Sequence, residues 1–301
     1  VESKSSAHTK NQGIDLKARI QELQSKGIIV QASMILFQEQ HDEKNIQEDI
    51  DWVIDLNSSL TQFMNYTPCP STALYDQLKA DGRMKSIEYR HIHGQSELLF
   101  DHPNFPNPAD HVRILRDAFR RKYLKGGPGV VNMALTLAQG LKRGWEELRA
   151  REKENLVWNA DTMRYENSDT SQPDRFMKRR LLMIARMAAG VRPSLGAAWV
   201  YAPNRAARSK ARETMRLYTE VLGKATTADR MKAVGLVLTG GMELIRLRWN
   251  QLLGRESIVH QPPCRRTEYR MGTPAQAAGL LDKLASSLET LPEPLGETSG
   301  K

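Results

Sequence analysis

The sequence is poor in cysteine and has no long apolar run, and each shortage excludes a class of protein. Only two of the 301 residues are cysteines, Cys69 and Cys264. The chain can therefore form at most one disulfide and has no CxxC-type zinc knuckle or self-contained iron–sulfur site. No window approaches 18 uninterrupted apolar residues, and the first residues lack the charged-then-apolar order of a secretion signal. We therefore expect a globular cytoplasmic protein with no transmembrane segment.

Several common catalytic motifs are also missing. The sequence contains no GxGxxG, Walker, HExxH or GxSxG pattern, which removes the corresponding nucleotide-binding, metalloprotease and esterase classes. It also opens on Val1 rather than on an initiator methionine. This opening indicates that the numbering begins inside a longer protein.

Charge is divided unevenly along the chain. Residues 1–110 hold 10 lysines and arginines against 16 aspartates and glutamates, whereas residues 111–301 hold 34 against 19. A basic part of this size suits an acidic partner, an anionic surface or nucleic acid. Its basic residues lie mostly on helix-like segments such as Arg175–Arg180, where a solvated face is the ordinary explanation. We therefore do not expect nucleic acid as the partner.

The periodicity of the first part of the chain predicts alternating helices and strands. Apolar residues at helical spacing follow Asp15, a suitable N-cap, and Gly27 is placed to end that helix. A nearly continuous β-rich run from Ile28 to Leu36 then predicts a buried strand. A second helix and a second strand, from Leu60 to Tyr66, complete the order helix, strand, helix, strand.

This order predicts a parallel α/β sheet with right-handed crossovers, open or closed into a barrel. Ligands of such sheets bind at the C-terminal ends of the strands, which here lie after Leu36 and Tyr66.

The remainder of the chain is predicted to be helical. Residues 83–110 form an irregular covering loop with several histidines and prolines, and the tail 261–301 is rich in Pro, Gly and Ser, with one short helix at Pro274–Leu288. Apolar residues at three- and four-residue spacing predict five helices, at 111–125, 129–155, 174–190, 204–223 and 227–253.

Five short motifs between residues 1 and 125 follow one another in the order of a known family. They are Val1-Glu2-Ser3, Gly27-Ile28-Ile29-Val30, Ser33-Met34-Ile35-Leu36-Phe37, Thr67-Pro68-Cys69-Pro70-Ser71-Thr72-Ala73-Leu74-Tyr75, and Asp117-Ala118-Phe119-Arg120-Arg121-Lys122-Tyr123. Together they resemble the C-terminal half of a radical S-adenosylmethionine (SAM) enzyme, especially of the branch with an N-terminal cobalamin-binding domain. The third motif stands where the family has Gly-x-Ile-x-Gly, and Ser71 stands where the fourth motif usually has glycine.

The resemblance implies the fold and the organisation of the chain. Residues 1–82 would be the last strands of a radical SAM partial (β/α)6 barrel, and 83–110 a covering loop. An all-helical domain over 111–260 and the partly disordered tail would follow. Three strand–helix units would precede Val1, so the missing N-terminal half of the same protein would be the chain's main partner.

The resemblance also implies cofactors. Radical SAM enzymes hold a [4Fe–4S] cluster through a Cys-x3-Cys-x2-Cys run and use it to cleave SAM reductively to a 5′-deoxyadenosyl radical. This chain lacks that run, so no metal ligand is expected in it and the fragment alone should be inactive. In the intact enzyme, cobalamin would carry a methyl group or assist a rearrangement on a small-molecule or lipid-like substrate.

The positions that match the family's SAM-contacting segments are the candidate site residues. They are Glu2, Ser3, Ser33, Ile35, Phe37, Gln40 and Thr67. Gln40 stands where a Glu is usual in the family. At Phe37 two interpretations are open, because a ring in place of glycine would either obstruct the SAM pocket or stack on adenine.

Three other interpretations compete with the resemblance. His91, His93, His102 and His111 could form a mononuclear metal site, but no carboxylate or cysteine pattern accompanies them. Cys69 could be a reactive thiol, but the sequence shows no helix N-terminus or basic neighbour to activate it, and a packed or incidental thiol is the better interpretation. The alternative function is a non-catalytic helical adaptor whose basic C-terminal part binds an acidic partner or nucleic acid.

Overall fold

The computed structural model describes residues 13–86, 92–95, 98–153, 156–167 and 175–254. Within them the chain is a mixed α/β structure in which helix predominates. The first elements are α1 (Leu16–Ser25), β1 (Gln31–Leu36), α2 (Glu43–Asp55), β2 (Leu60–Asn65), α3 (Ala73–Ala80) and α4 (Pro108–Gly126). The later elements are α5 (Gly129–Lys153), β3 (Leu156–Asn159), β4 (Arg164–Asn167), α6 (Arg175–Val191), α7 (Ser194–Val200), α8 (Arg205–Leu222) and α9 (Thr227–Leu252). None of these helices has the length and apolar content needed to cross a membrane.

The predicted ends of α1 are confirmed. The Asp15 side chain accepts a hydrogen bond from Ala18 N at 3.0 Å, which satisfies a backbone donor of the first turn. At the other end Gly27 has φ +81°, and Ile28 N donates to Leu23 O at 3.1 Å in a Schellman-type ending. Because Ile28 belongs to this turn, the following strand begins at Gln31 and not at Ile28 as predicted.

The first sheet consists of β1 and β2, which pair in parallel from Gln31↔Leu60 to Leu36↔Asn65. This pairing confirms the predicted parallel arrangement. The connection between the strands contains α2, whose N-cap Asp42 accepts hydrogen bonds from Lys44 N and Asn45 N in a capping box. The described strands form two two-stranded sheets and no closed barrel.

One face of this sheet packs against helices and forms the first hydrophobic core. Alternate residues of each strand point to the same face, and Met34, Leu36 and Phe63 are buried there. The core is completed by apolar side chains from α2, α4 and the segment before α4, namely Ile46, Ile50, Val53, Ile54, Leu98, Phe100, Phe105, Ile114, Leu115 and Ala118.

A second core lies among α5, α6, α7 and α8. The turn after α1 meets α5 at two glycines: a Cβ on Gly140 would stand 2.2 Å from Gly27 Cα. Real Cβ atoms do not approach other atoms this closely, so the contact requires glycine at position 140, while the positive φ favours glycine at position 27.

Three short elements were not predicted from the sequence. They are α3, α7 and the antiparallel hairpin of β3 and β4, in which Trp158 pairs with Tyr165. The five predicted C-terminal helices correspond to α4, α5, α6, α8 and α9 within a few residues. The predicted helix Pro274–Leu288 lies outside the described residues.

Candidate functional site

The loop that follows β1 is closed by a covering segment, residues 98–105. His102 Nε2 donates to Gln38 O at 3.0 Å, and Asn104 Nδ2 donates to His41 O at 2.8 Å. In the same loop, Glu39 Oε1 accepts a hydrogen bond from Arg83 Nη1 at 2.6 Å. The C-terminal end of β1, where the sequence analysis expects a ligand, is therefore tied to the chain's own covering segment.

Three buried histidines hold this closure together. His41, His102 and His111 are each no more than 2% exposed. In each ring Nδ1 accepts a backbone N–H, from Gln38 (2.9 Å), Asn104 (3.1 Å) and Leu98 (3.2 Å) respectively. The proton therefore lies on Nε2, which faces Asp49 Oδ2 at 3.2 Å in His41, Gln38 O in His102, and Phe105 O at 2.8 Å in His111.

This bonding gives the histidines a structural role. Burial lowers the pKa of His102 below its ordinary value, which favours the neutral ring that the hydrogen bonds require. A metal ligand needs a free ring nitrogen, and His102 and His111 have neither nitrogen free. Among the described residues no group of three His, Cys, Asp or Glu side chains could hold a metal ion; His91 lies outside them.

The end of β2 is covered by a second short piece of chain. Asn65 N donates to Gly94 O at 2.7 Å, and Gln95 Nε2 donates to Phe63 O at 3.0 Å. Thr67, a predicted SAM contact, donates its hydroxyl to Asn65 O at 2.9 Å. Gly94 has φ +67°, and a Cβ there would stand 3.1 Å from Asn65 O, so this close approach requires glycine.

Two predicted site residues lie together on the sheet face that the helices leave uncovered. This open face consists of Gln31, Ser33, Ile35, Gln62 and Met64, all half-buried or exposed. Gln31 Nε2 donates to Gln62 Oε1 at 2.6 Å, and Ser33 Oγ lies 3.5 Å from the same oxygen. Among the described strands only β2 pairs with β1, so the other edge of β1 is unpaired by any of them.

Phe37 is placed differently from both sequence interpretations. Its ring is fully buried in the first core, with edge-to-face contacts to Phe105 (centroids 4.9 Å apart) and His111 (5.2 Å). The ring therefore lies in the core and not on the open face of the sheet. Its backbone has φ +60°, which turns the side chain from the strand into the core.

Among the other predicted site residues that the structure describes, Gln40 does not lie on the open face. Gln40 is exposed in the turn before α2, and its Nε2 donates to Gln38 Oε1 at 2.7 Å. Glu2 and Ser3 lie outside the described residues. Cys69 is an exposed free thiol, not a packed one.

A polar cavity of about 410 Å³, which was not predicted from the sequence, lies between α1, α5 and α8. Lys210 Nζ donates to Asn132 Oδ1 at 2.5 Å, and Arg143 Nη1 donates to Ser25 Oγ at 2.6 Å. Burial lowers the pKa of Lys210. The cavity walls come from helices far apart in the sequence, and no local pattern marks such a site.

Lys122 of α4 lies beside this cavity. Its Cε and Asn132 Nδ2 are both within 4 Å of the point where a Cβ on Gly126 would stand. Burial, and then the charges of Lys210 and Lys125, lower the pKa of Lys122 to about 8. The cavity is thus a positively charged, hydrogen-bonding pocket. Thr136 lines it, and the Thr136 Oγ1 atom lies 2.9 Å from Ser59 Oγ, just before β2 begins. The cavity therefore lies at the end of the sheet opposite to the predicted ligand site.

Comparison with known proteins identifies no relative: no protein-family model, curated protein or solved structure matches this chain.

Proposed function

We propose that this chain is the C-terminal part of a radical SAM enzyme and that its first sheet supplies the last strands of that enzyme's partial barrel. The support comes from the motifs described above and from the way the backbone accommodates them. The parallel strand, helix, strand unit of β1, α2 and β2 is the repeating unit of such a barrel.

The observation that carries the proposal is the backbone conformation at two replaced glycines. Phe37 and Ser71 stand where the family motifs have glycine, and both have left-handed backbone, with φ +60° and +66°. Non-glycine residues adopt this conformation uncommonly, because Cβ is crowded there. Only four non-glycine residues in the described part of the chain do so, and two of them fall on these positions.

The open face supplies the ligand-binding surface in this proposal. In a partial barrel the strand surface that the helices do not cover would line the inside of the barrel, next to the C-terminal strand ends where barrel enzymes bind their ligands. Ser33, Gln31 and Gln62 offer hydroxyl and amide groups that suit the ribose and adenine of SAM. The unpaired edge of β1 is the place where the preceding strands of the barrel would add.

The described residues do not fit the iron–sulfur cluster itself. Three thiolates are needed, and the one cysteine among the described residues, Cys69, is exposed and isolated. In our proposal the cluster ligands come from residues that precede Val1. The cluster would supply the electron that cleaves SAM, and this chain would hold the nucleoside.

The experiment uses the reading frame extended upstream of Val1. The extended protein should contain Cys-x3-Cys-x2-Cys and, after anaerobic reconstitution and reduction, convert SAM to 5′-deoxyadenosine measured by chromatography with mass detection. Ser33→Trp fills the open face and should abolish the product. Ser209→Trp, on an exposed surface of α8, should leave it unchanged.

Absence of the cysteine motif, or an equal yield of 5′-deoxyadenosine from Ser33→Trp and the unchanged protein, contradicts the proposal.

A further inference from the structure

Helix α9 carries a long apolar surface that the described fold leaves uncovered. None of its residues is buried. Seven large side chains at three- and four-residue intervals are 59–81% exposed, and we name them the α9 stripe: Met231, Val234, Leu238, Met242, Ile245, Trp249 and Leu252. A helix of a globular protein normally buries such a face.

The α9 stripe points away from the body of the protein. The opposite side of α9 packs on α7, where a Cβ on Gly240 would stand 2.7 Å from the Tyr201 ring. The Tyr201 hydroxyl donates to Val237 O on the same side. At 3.6 residues per turn the centre of the stripe lies roughly opposite Gly240, so a second helix can approach the stripe without meeting α7.

We propose that the α9 stripe is the interface with a second copy of this chain, formed by two α9 helices in antiparallel orientation. The stripe places seven side chains over 21 residue steps from Met231 to Leu252, a mean spacing of 3.5 residues. Intervals of three and four residues keep these side chains on one face of α9, which is the pattern of a helix that packs against another helix. One patch that pairs with itself gives a closed two-fold dimer.

The size of the stripe suits a stable dimer. Seven residues exposed to this extent present roughly 800–900 Å² of solvent-accessible surface. Each partner in a standard protein interface buries ~800 Å². The largest apolar patch on a typical monomer is smaller, ~300–600 Å².

Side-chain size favours the antiparallel orientation. If Met231 of one copy faces Leu252 of the other, Leu238 faces Ile245 and Trp249 faces Val234. The largest residue of the stripe, Trp249, then opposes the smallest, Val234, as interdigitated packing requires.

Charge favours the same orientation. In this register the charged residues that flank the stripe, Arg230, Arg246 and Arg248, lie level with Leu253, Val237 and Gly235 of the other copy. A parallel pair would instead set each of these charges beside its own copy, which is unfavourable.

Two measurements test the proposal on the full chain. Light scattering coupled to size exclusion should give about twice the 34.1 kDa chain mass. The double variant Leu238→Glu/Ile245→Glu should be monomeric, with the dimer dissociation constant raised at least about 100-fold. Its circular dichroism should be unchanged, because both side chains are exposed. Met163→Glu alters an equally exposed apolar residue (70%) outside α9 and should stay dimeric.

Cysteine pairing tests the orientation in a Cys69→Ser/Cys264→Ser background. A mixture of Met231→Cys and Leu252→Cys chains should form an intermolecular disulfide, whereas neither variant alone should do so. Crosslinking of either variant alone overturns the antiparallel arrangement. A monomeric unchanged chain, or a dimer that the glutamate variant preserves, overturns the interface.

Discussion

The contact between Gly27 and Gly140 leads to a sharp prediction because α5 offers a matched control one turn away. A Cβ on Gly140 would stand 2.2 Å from Gly27 Cα and 2.5 Å from Gly27 N. A Cβ on Gly144 would stand 2.3 Å from Leu181 Cδ2. The two distances are nearly equal, but the first obstacle is backbone and the second is the end of a side chain.

The two alanine variants should therefore differ in stability. In Gly140→Ala the turn after α1 must move about 1 Å away from α5, and such overpacking costs about 1–3 kcal/mol. Alanine returns up to about 1 kcal/mol through its helix propensity, and we expect a net loss of up to about 2 kcal/mol. In Gly144→Ala a rotation of the Leu181 side chain relieves the contact, and the net change should stay within about 1 kcal/mol.

Urea unfolding followed by far-ultraviolet circular dichroism measures both values. Gly190→Ala, where nothing lies within 4 Å of the added Cβ, serves as the reference for helix propensity alone. Equal losses in Gly140→Ala and Gly144→Ala would show that the backbone contact is not the cause, and an unchanged Gly140→Ala would show that α1 does not approach α5 this closely.

Three further predictions concern single side chains. Phe37→Gly relieves the left-handed backbone but empties a core position, and we expect its free energy of unfolding in urea to fall by about 3 kcal/mol. Ser71→Gly, on the exposed surface, should raise the free energy of unfolding by up to about 1 kcal/mol. A rise in both variants would contradict this prediction. Lys122→Met should stabilise the protein by about 1–2 kcal/mol near neutral pH, after allowance for partial solvent screening. The pKa of Lys122 is about 8 in the folded chain and 10.5 in the unfolded chain. The stability that Lys122→Met gains over the unchanged protein should therefore shrink as the pH rises from about 8 to 10.5. A gain in stability that does not depend on pH would rule out the charge of Lys122 as its cause. The pKa of His102 is lower in the folded chain than in the unfolded chain. As the pH drops below about 6.5, the unfolded chain therefore takes up the proton first, and the stability of the fold should fall. His102→Gln should lose less stability over the same pH range, and an unchanged slope would assign the pH dependence to other groups.

Local signals allowed the repeating part of the fold to be predicted from the sequence. Asp15 and Gly27 mark the ends of α1 by side-chain chemistry and backbone freedom, which act within a few residues. The β-rich runs and their spacing predicted the parallel pairing of β1 and β2. The short α7 was missed because Pro193 and Gly196 in and beside it interrupt the helical pattern.

The candidate site could be predicted only in part. The alternation of a strand is enough to place Ser33 and Ile35 on one face. The burial of Phe37 depends on Phe105 and His111, which reach it through tertiary packing, and no local pattern records that contact. The polar cavity was missed for the same reason, because Lys122, Asn132 and Lys210 meet only in the folded chain.

The burial of the covering segment has a consequence for access to the sheet. Leu98, Phe100 and Phe105 are each at most 2% exposed and belong to the same core as α2 and α4, so the segment cannot swing away without exposing that core to water. Its opening free energy should therefore approach that of global unfolding. The amide of Leu98, which donates to His111 Nδ1, should exchange with deuterium as slowly as the amides within β2. Any ligand of this sheet must then arrive over the open face and not through the end that the segment closes.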